Sequence, residues 1–118
     1  MSHLKSLKRG DIWLVDLGDT EGAEMEKTRP AVVMTADDVG VLPLRVVVPL
    51  TRWQESFEEA EWLIQVMPTQ EDGLDALSAA DTFQVRSLSE ERFHKRLGRM
   101  SEAQFSRITQ GLAYVLGL

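Results

Sequence analysis

Hydrophobic and polar residues alternate along much of the first ninety residues, and this period of two predicts short β-strands rather than helices. In GDIWLVDLGD, Ile12 and Leu14 point to one side of the chain and Trp13, Val15 and Leu17 to the other. Similar alternation, or a short continuous apolar run, predicts four further strands in AVVMT, LRVVVPLT, EWLIQVMP and SAADTFQVRSLS.

The segments between these strands contain turn-forming and charged residues. TEGAEMEKT is a polar loop of about ten residues after the first strand, longer than a hairpin requires, and loops of that length are often functional. Pro30 favours an extended conformation at Arg29. Pro49 lies near the end of the third strand, where an edge or a bulge tolerates the missing N–H. SEERFHKRLGRM is predicted to be a short helical turn or loop.

The last stretch, SEAQFSRITQGLAYVLGL, has the spacing of an amphipathic helix. Ser101 and Gln104 are spaced as a capping box at its start. The predicted apolar face consists of Phe105, Ile108, Leu112, Val115 and Leu116. About five strands followed by one helix predict a mainly β fold, in which a small, strongly curved antiparallel sheet or barrel carries a C-terminal α-helix.

The length of 118 residues favours a single domain over residues 1–118, with residues 1–7 as a mobile leader. The chain has no cysteine, which excludes disulfides, thiolate zinc sites and a cysteine nucleophile. It has no apolar run of membrane-spanning length and no apolar segment typical of a secretory leader. These features favour a cytoplasmic protein.

The formal net charge of -6 argues against binding of long duplex nucleic acid through a broad basic face. The cations are nevertheless clustered, for example at Lys27 and Arg29 and again in the segment from Arg92 to Arg99. A local basic site on an acidic body is therefore compatible with the sequence.

Most familiar catalytic arrangements are missing. The two histidines are His3, in the leader, and His94, in a basic segment, so a two-histidine acid/base site is not expected. Asp37 and Asp38 are interpreted as solvated turn residues, with a Mg²⁺ site as the alternative. No glycine-rich phosphate loop is present, and no cofactor or metal is predicted.

Several stretches, taken in order, resemble the MazF/PemK family of toxin endoribonucleases: KRGDIWLVDLGDTEGAE, KTRPAVVMT, VVVPLT, SAADTFQVRSL and KRLGRMSEAQFSRITQGLAYVLGL. The resemblance extends from Lys8 to Leu118. Its most specific parts are the Arg-Gly-Asp strand opening, the Gly-x-Glu followed five residues later by Arg-Pro, and the Gln-Val-Arg-Ser strand. Their order and spacing carry the resemblance.

The resemblance implies an SH3-like curved antiparallel barrel of the CcdB/PemK kind with a C-terminal helix, assembled as a homodimer. It also implies cleavage of single-stranded RNA at short specific sequences without a metal. In the family the neighbouring 2′-hydroxyl is the nucleophile, and the products carry a 2′,3′-cyclic phosphate (or 3′-phosphate) and a 5′-hydroxyl. The family's catalytic positions, the Arg of Arg-Pro and the Thr that ends the third strand, correspond here to Arg29 and Thr51.

This chemistry explains why an arginine would stand where a loop meets a strand. The phosphate gains negative charge during the reaction, and the planar donor fork of a guanidinium matches phosphate oxygens. Arg29 is therefore expected to clamp the phosphate and to donate a proton to the leaving oxygen, with Thr51 as a second donor. A guanidinium stays protonated at neutral pH, so Arg29 is not expected to be the general base.

The general base stays open at this point. Glu24 is the best local candidate, since carboxylates perform this role when suitably placed. The alternative for Glu24 is a structural role in the loop, and His94 is a second candidate base.

Single-stranded RNA is recognised through splayed bases, backbone contacts and the 2′-hydroxyl. The loop between the first two strands is expected to form one wall of the RNA groove, which polar residues of later strands extend. The expected RNA-binding residues are Gly22, Lys27, Thr28, Arg52, Gln84 and Arg86. Trp53 either stacks on a base or packs as an ordinary aromatic residue.

The resemblance also implies partners. Members of the family are neutralised by an antitoxin whose acidic, partly disordered segment lies across the RNA groove, and the complex usually represses its own operon. The expected partners are therefore single-stranded RNA, a cognate MazE-like antitoxin and a second copy of the chain. Operator DNA is expected only through the antitoxin, and no membrane is expected.

Two alternatives belong to other functional classes. A CcdB-like toxin with the same barrel poisons DNA gyrase by protein binding through a Trp-Gly-Ile-like C-terminus, whereas this chain ends in YVLGL. A catalytically silent homologue that only binds the antitoxin would lack Arg29 or Thr51, and both residues are present.

Overall fold

The computed structural model describes residues 6–18, 21–22, 27–39 and 42–118. Its strands and helix are β1 (Asp11–Asp16), β2 (Thr28–Val33), β3 (Leu44–Arg52), β4 (Leu63–Val66), β5 (Ser78–Asp81), β6 (Arg86–Ser89), β7 (Phe93–Arg99) and α1 (Glu102–Leu116). The strands form one antiparallel sheet in the order β4-β5-β3-β2-β1-β7, and β6 pairs with β3. The mainly β fold with a C-terminal helix is confirmed, although the hydrogen-bonded path through the described strands ends at β4 and β7 and does not close into a ring.

The two faces of the central strands carry two separate apolar clusters, because successive side chains of a strand point to opposite faces. One cluster contains Leu7, Trp13, Val15, Leu17, Ala31, Val33, Val47, Leu88 and Phe93. The other contains Ile12, Val32, Met34, Val48, Leu50, Val66, Ala80, Met100 and Ile108, and α1 covers it. The predicted division of β1 into two faces is correct. Leu7 was assigned to the mobile leader, but its side chain is buried in the first cluster; residues 1–5 lie outside the described part of the chain.

The predicted fifth strand is two strands separated by a turn, so the continuous strand in SAADTFQVRSLS was wrong. A 3₁₀ turn at Thr82–Gln84 lies between β5 and β6. The Asp81 carboxylate accepts a hydrogen bond from the Phe83 N–H at 3.1 Å, which gives the backbone a partner outside a strand ladder. β3 pairs with β5 on one side of this break and with β6 on the other.

The segment predicted as a helical turn or loop is instead mostly β7, preceded by a 3₁₀ turn at Glu90–Arg92. β7 pairs with β1, and the register shifts twice, so that His94 and Leu97 have no partner residue on β1. These irregularities interrupt the period of two and leave three consecutive residues of β7 exposed. The alternation that identifies a strand is therefore not visible in this part of the sequence. Phe93 is nevertheless fully buried.

β3 changes its partner on one side, from β6 at Leu44–Val47 to β5 at Leu50–Arg52. Pro49 lies between these two pairings. Neither β6 nor β5 pairs with this position, so the missing N–H of proline costs no hydrogen bond on that side. The edge or bulge predicted at Pro49 is thus a change of partner within a central strand. On its other side β3 pairs with β2, from Val47 to Pro49.

The predicted helix is confirmed, with Ser101 as the N-cap that accepts the Gln104 N–H at 3.2 Å. The reciprocal half of the capping box is absent, because the Gln104 amide instead bonds the backbone N–H and C=O of Met67. Arg107 likewise donates to the Gln65 carbonyl at 3.0 Å. Side chains of α1 thereby cover the outer edge of β4, which limits pairing with another chain. Of the predicted apolar face, Leu116 is largely exposed.

Within the described residues, no helix has the length and apolar character needed to cross a membrane.

Candidate active site

Arg29 and Thr51 lie side by side near one end of the sheet. Ala31 of β2 pairs with Pro49 of β3, and the same antiparallel register continued by two residues brings Arg29 opposite Thr51. The Arg29 Nη1 donates a hydrogen bond to Thr51 Oγ1 at 3.2 Å. Both residues are partly buried. The contact therefore follows from the strand register rather than from a flexible side chain reaching across the surface.

Both side chains keep donors that this contact does not use. Thr51 Oγ1 accepts the hydrogen bond, so its own O–H hydrogen stays available to another acceptor. The Arg29 Nε is buried and has no hydrogen-bond partner among the residues that the structure describes. A guanidinium and a hydroxyl arranged in this way are suited to stabilising negative charge that develops on a nearby oxygen.

The loop that precedes Arg29 is closed at its base by backbone hydrogen bonds. The Leu17 N–H donates to the Lys27 carbonyl at 2.9 Å, and the Lys27 N–H donates to the Gly18 carbonyl at 3.1 Å. Lys27 has a φ of 72°, a left-handed conformation that is uncommon for a residue with a side chain and often marks functional sites. The backbone that leads into Arg29 is thus fixed on both sides of the loop.

Two arginines from other elements contact the base of this loop. Arg86 of β6 donates to the Leu17 carbonyl at 3.4 Å. Arg92 donates to the Asp16 carbonyl at 3.3 Å and lies 3.8 Å from the Asp16 carboxylate. The sequence predicted Arg86 as an RNA-binding residue, and the structure also gives it a contact with the loop. Arg92 was noted only as part of a basic cluster, because its contact with Asp16 crosses from β1 to a distant turn.

The structure describes most of the other predicted site residues, but not the candidate base Glu24. Lys27, Thr28 and Arg52 are exposed. Gly22 is exposed with a φ of 62°. Glu24 lies outside the described residues.

Gln84 belongs to the turn between β5 and β6 rather than to a strand. Its side-chain amide donates to the Asp81 carboxylate at 2.9 Å. Trp53 is partly buried and packs edge-to-face against Phe57, with ring centroids 5.7 Å apart. This contact corresponds to the packing alternative for Trp53.

The remaining candidates lie elsewhere. His94 is exposed on β7, at one of the register shifts, and His3 lies outside the described residues. Asp37 accepts the Arg9 N–H at 2.7 Å, as expected of a turn residue. No cluster of three or more His, Cys, Asp or Glu residues suited to a metal ion occurs in the described part of the chain.

Comparisons with known proteins all identify the same family. The profile of the PemK-like, MazF-like toxins of type II toxin–antitoxin systems matches residues 8–116. Endoribonuclease MazF9 of Mycobacterium tuberculosis is 31% identical over 118 residues, which cover 95% of this chain and 98% of the relative.

Solved structures show the same fold. MazF of Deinococcus radiodurans superposes with a TM-score of 0.77 at 19% identity, covering 94% of this chain and 96% of the other. An endoribonuclease from a mycobacterial species, solved with its cognate antitoxin, has a TM-score of 0.71 at 20% identity and covers 94% and 95% of the two chains.

These matches do not favour the gyrase-poisoning alternative. They agree with the motifs that gave the resemblance. The chain belongs to the PemK-like, MazF-like toxin family of type II toxin–antitoxin systems.

Proposed function

We propose that this toxin is an endoribonuclease that cleaves single-stranded RNA at the Arg29–Thr51 pair, with the 2′-hydroxyl beside the scissile phosphate as nucleophile. The 3.2 Å contact between the two side chains is the observation that carries the proposal. The name of the M. tuberculosis relative, an endoribonuclease that matches almost the whole chain, supports the activity.

In the proposed reaction the 2′-oxygen bonds to phosphorus as a base removes its proton, and the bond from phosphorus to the 5′-oxygen breaks. The products are a 2′,3′-cyclic phosphate and a 5′-hydroxyl. Arg29 binds the phosphate oxygens as negative charge builds and donates a proton to the leaving 5′-oxygen. Thr51 donates its free hydroxyl hydrogen to the same phosphate. Because the strand register sets both donors in advance, little reorganisation is needed during the reaction.

Glu24 is proposed as the base that accepts the proton of the 2′-hydroxyl. It belongs to the loop whose base is closed by Leu17, Gly18 and Lys27. A carboxylate five residues before Arg29 is a chemically suitable acceptor. A role in bracing the loop is the alternative for Glu24.

The proposed RNA groove runs along the base of this loop and the adjoining ends of β2, β3 and β6. The cations available to the RNA backbone are Lys27, Arg29, Arg52, Arg86 and Arg92. Gly22 and Thr28 contribute exposed backbone and hydroxyl groups, and Gln84 contributes an amide. Arg86 and Arg92 would also keep the loop in place through their contacts with its base.

The proposed partners follow from the family. A MazE-like antitoxin would present acidic residues to these cations and compete with RNA. The mycobacterial relative has been solved with its cognate antitoxin, which supports a partner of this kind. We further propose that the toxin is a homodimer and that it reaches operator DNA only through the antitoxin. We also propose that it acts in the cytoplasm, since both an RNA substrate and an operator are expected there.

The activity is tested by incubating the purified toxin with a mixed RNA in EDTA and mapping the new ends by sequencing. We expect cuts within single-stranded regions that leave 5′-hydroxyl and 2′,3′-cyclic phosphate ends. A strict requirement for Mg²⁺, or products with 5′-phosphates, would contradict the proposed chemistry.

A further inference from the structure

We propose that Phe83 stacks on one base of the bound RNA and so contributes to the choice of cleavage sequence, an inference that rests on the proposed ribonuclease function. Phe83 is 65% exposed, although a phenylalanine gains from burial. Its ring packs edge-to-face against Trp62, with ring centroids 5.9 Å apart and an angle of 77° between the planes. A large part of the ring is therefore both oriented and open to a ligand.

The turn that carries Phe83 is held by several hydrogen bonds. Thr82 is fully buried, and both its N–H and its hydroxyl donate to the Trp62 carbonyl, at 3.1 and 2.7 Å. The Asp81 carboxylate accepts the Phe83 N–H. Gly111 of α1 packs against the same turn, since a Cβ there would lie 3.1 Å from the Thr82 methyl. An exposed ring on a braced turn loses little conformational entropy when it binds, as is typical of aromatic anchors.

In the sequence, Phe83 lies between two residues whose contacts lead to the Arg29 region. On the β5 side, Ala79 pairs with Thr51. On the β6 side, Arg86 contacts the Leu17 carbonyl at the base of the loop. Phe83 is four residues from Ala79, a span of at most about 14 Å, which a short stretch of single-stranded RNA can cover.

The chemistry of the turn fits a nucleobase better than a phosphate. Phe83 offers an apolar face and no hydrogen-bond donor, whereas the adjoining Gln84 offers an amide. Single-stranded RNA is commonly recognised by this combination, with an aromatic ring on the base face and polar groups on its edge. Stacking on phenylalanine is available to every base, so the discrimination would come from stacking strength and from the neighbouring amide.

The test uses an RNA that spans a mapped cleavage site and carries a 2′-deoxynucleotide at the cut position, so that it binds without being cleaved. A series of these RNAs replaces each base in turn by an abasic site. Affinity for full-length toxin is measured by fluorescence anisotropy with wild type, Phe83→Leu and Phe83→Tyr. Tyr114→Leu is the matched control, because Tyr114 is also an exposed aromatic residue, 58% exposed, but lies on α1.

We expect Phe83→Leu to weaken binding of the intact RNA about tenfold, and Phe83→Tyr to preserve it. In the abasic series, one position should weaken binding to wild type and to Tyr114→Leu but not to Phe83→Leu, which identifies the stacked base. The cleavable RNA should show a raised KM and an unchanged kcat with Phe83→Leu.

Three results would overturn the inference. If wild type cleaves RNA but Phe83→Leu keeps the same abasic profile, the stacking role fails and the ribonuclease function stands. If wild type neither cleaves nor binds RNA, both fail. If Phe83→Leu leaves RNA binding unchanged but alters the oligomeric state in sedimentation velocity, Phe83 contacts a second copy of the chain instead.

Discussion

Arg29 and Thr51 meet because of one register, the pairing of Ala31 with Pro49, which fixes every later pair along β2 and β3. A shift by one residue would turn Arg29 to the other face of the sheet. The apolar residues that follow Arg29 oppose such a shift, since Ala31 and Val33 are fully buried in one cluster and Val32 in the other. The proposed catalytic pair is thus stabilised by the core beneath it.

The hydroxyl of Thr51 can be tested separately from its shape. Thr51→Val keeps the β-branched side chain and removes the donor, and we expect cleavage to slow by about tenfold to several hundredfold because a donor to the developing charge is lost. Thr51→Ser keeps the hydroxyl and should retain most of the rate. Single-turnover cleavage of one defined RNA measures both variants, and equal rates for Thr51→Val and wild type would remove Thr51 from the mechanism.

The positions of Arg29 and Thr51 at strand ends could be predicted from the sequence, because the motif and the strand pattern agreed. Arg29-Pro30 precedes one apolar run, and Thr51 ends another. The contacts of Arg86 and Arg92 with the loop base could not, because they join elements 69 and 76 residues apart in the chain. No local pattern encodes such distant pairs.

Among the secondary-structure elements, β7 is contacted on its outer side by the loop at Glu71–Gly73. The Arg99 N–H donates to the Glu71 carbonyl at 2.7 Å. The two backbones approach so closely that a Cβ at Gly98 would lie 2.2 Å from that carbonyl oxygen, and one at Gly73 would lie 2.1 Å from the Leu97 carbonyl oxygen. Both glycines are therefore required for this contact between loop and strand.

Gly98→Ala should destabilise the fold by about 3 kcal/mol, because backbone atoms rather than a flexible side chain must move. Gly117→Ala is the control. Its φ of 72° is strained for alanine, but nothing lies within 4 Å, so a cost of only about 1 kcal/mol is expected. Urea unfolding measures both values, and a Gly98→Ala protein as stable as wild type would contradict the close approach.

Regular elements were predictable and irregular ones were not. β1, β3 and α1 follow clear periods, and each was assigned correctly. The break between β5 and β6 depends on the side chain of Asp81 and on the Trp62 carbonyl, which is 20 residues from Thr82 in the chain. β7 was missed because its two register shifts remove the alternation that identifies a strand.

At the scale of the whole molecule, a body with a formal net charge of -6 presents a local group of cations around the loop base. Acidic residues occur in the same loop of the sequence, at Asp19, Glu21, Glu24 and Glu26, and also in the 3₁₀ turn at Glu55–Glu59. The proposed cationic groove on this acidic protein would favour a bound single strand over a broad duplex surface. It would also attract an acidic antitoxin segment.

RNA binding should therefore depend on salt through a few local contacts. Each neutralised phosphate contributes a slope of about −0.7 to the plot of log affinity against log salt for single strands. Arg52→Gln should make the slope less steep by about 0.7, whereas Arg107→Gln should leave it unchanged, because Arg107 lies on α1 and contacts the Gln65 carbonyl of β4. Anisotropy titrations at several salt concentrations measure the slopes, and equal slopes for wild type and Arg52→Gln would exclude Arg52 from the RNA contacts.

The proposed mechanism requires the Arg29 guanidinium to stabilise the phosphate as the RNA chain breaks. The most direct measurement is the single-turnover cleavage rate of Arg29→Ala on one mapped RNA in EDTA, with Arg107→Ala as a matched arginine control and urea unfolding to verify that both variants fold. We expect a loss of about a hundredfold to a thousandfold for Arg29→Ala and a rate within about twofold of wild type for Arg107→Ala. A folded Arg29→Ala toxin that cleaves at the wild-type rate would exclude this role for Arg29.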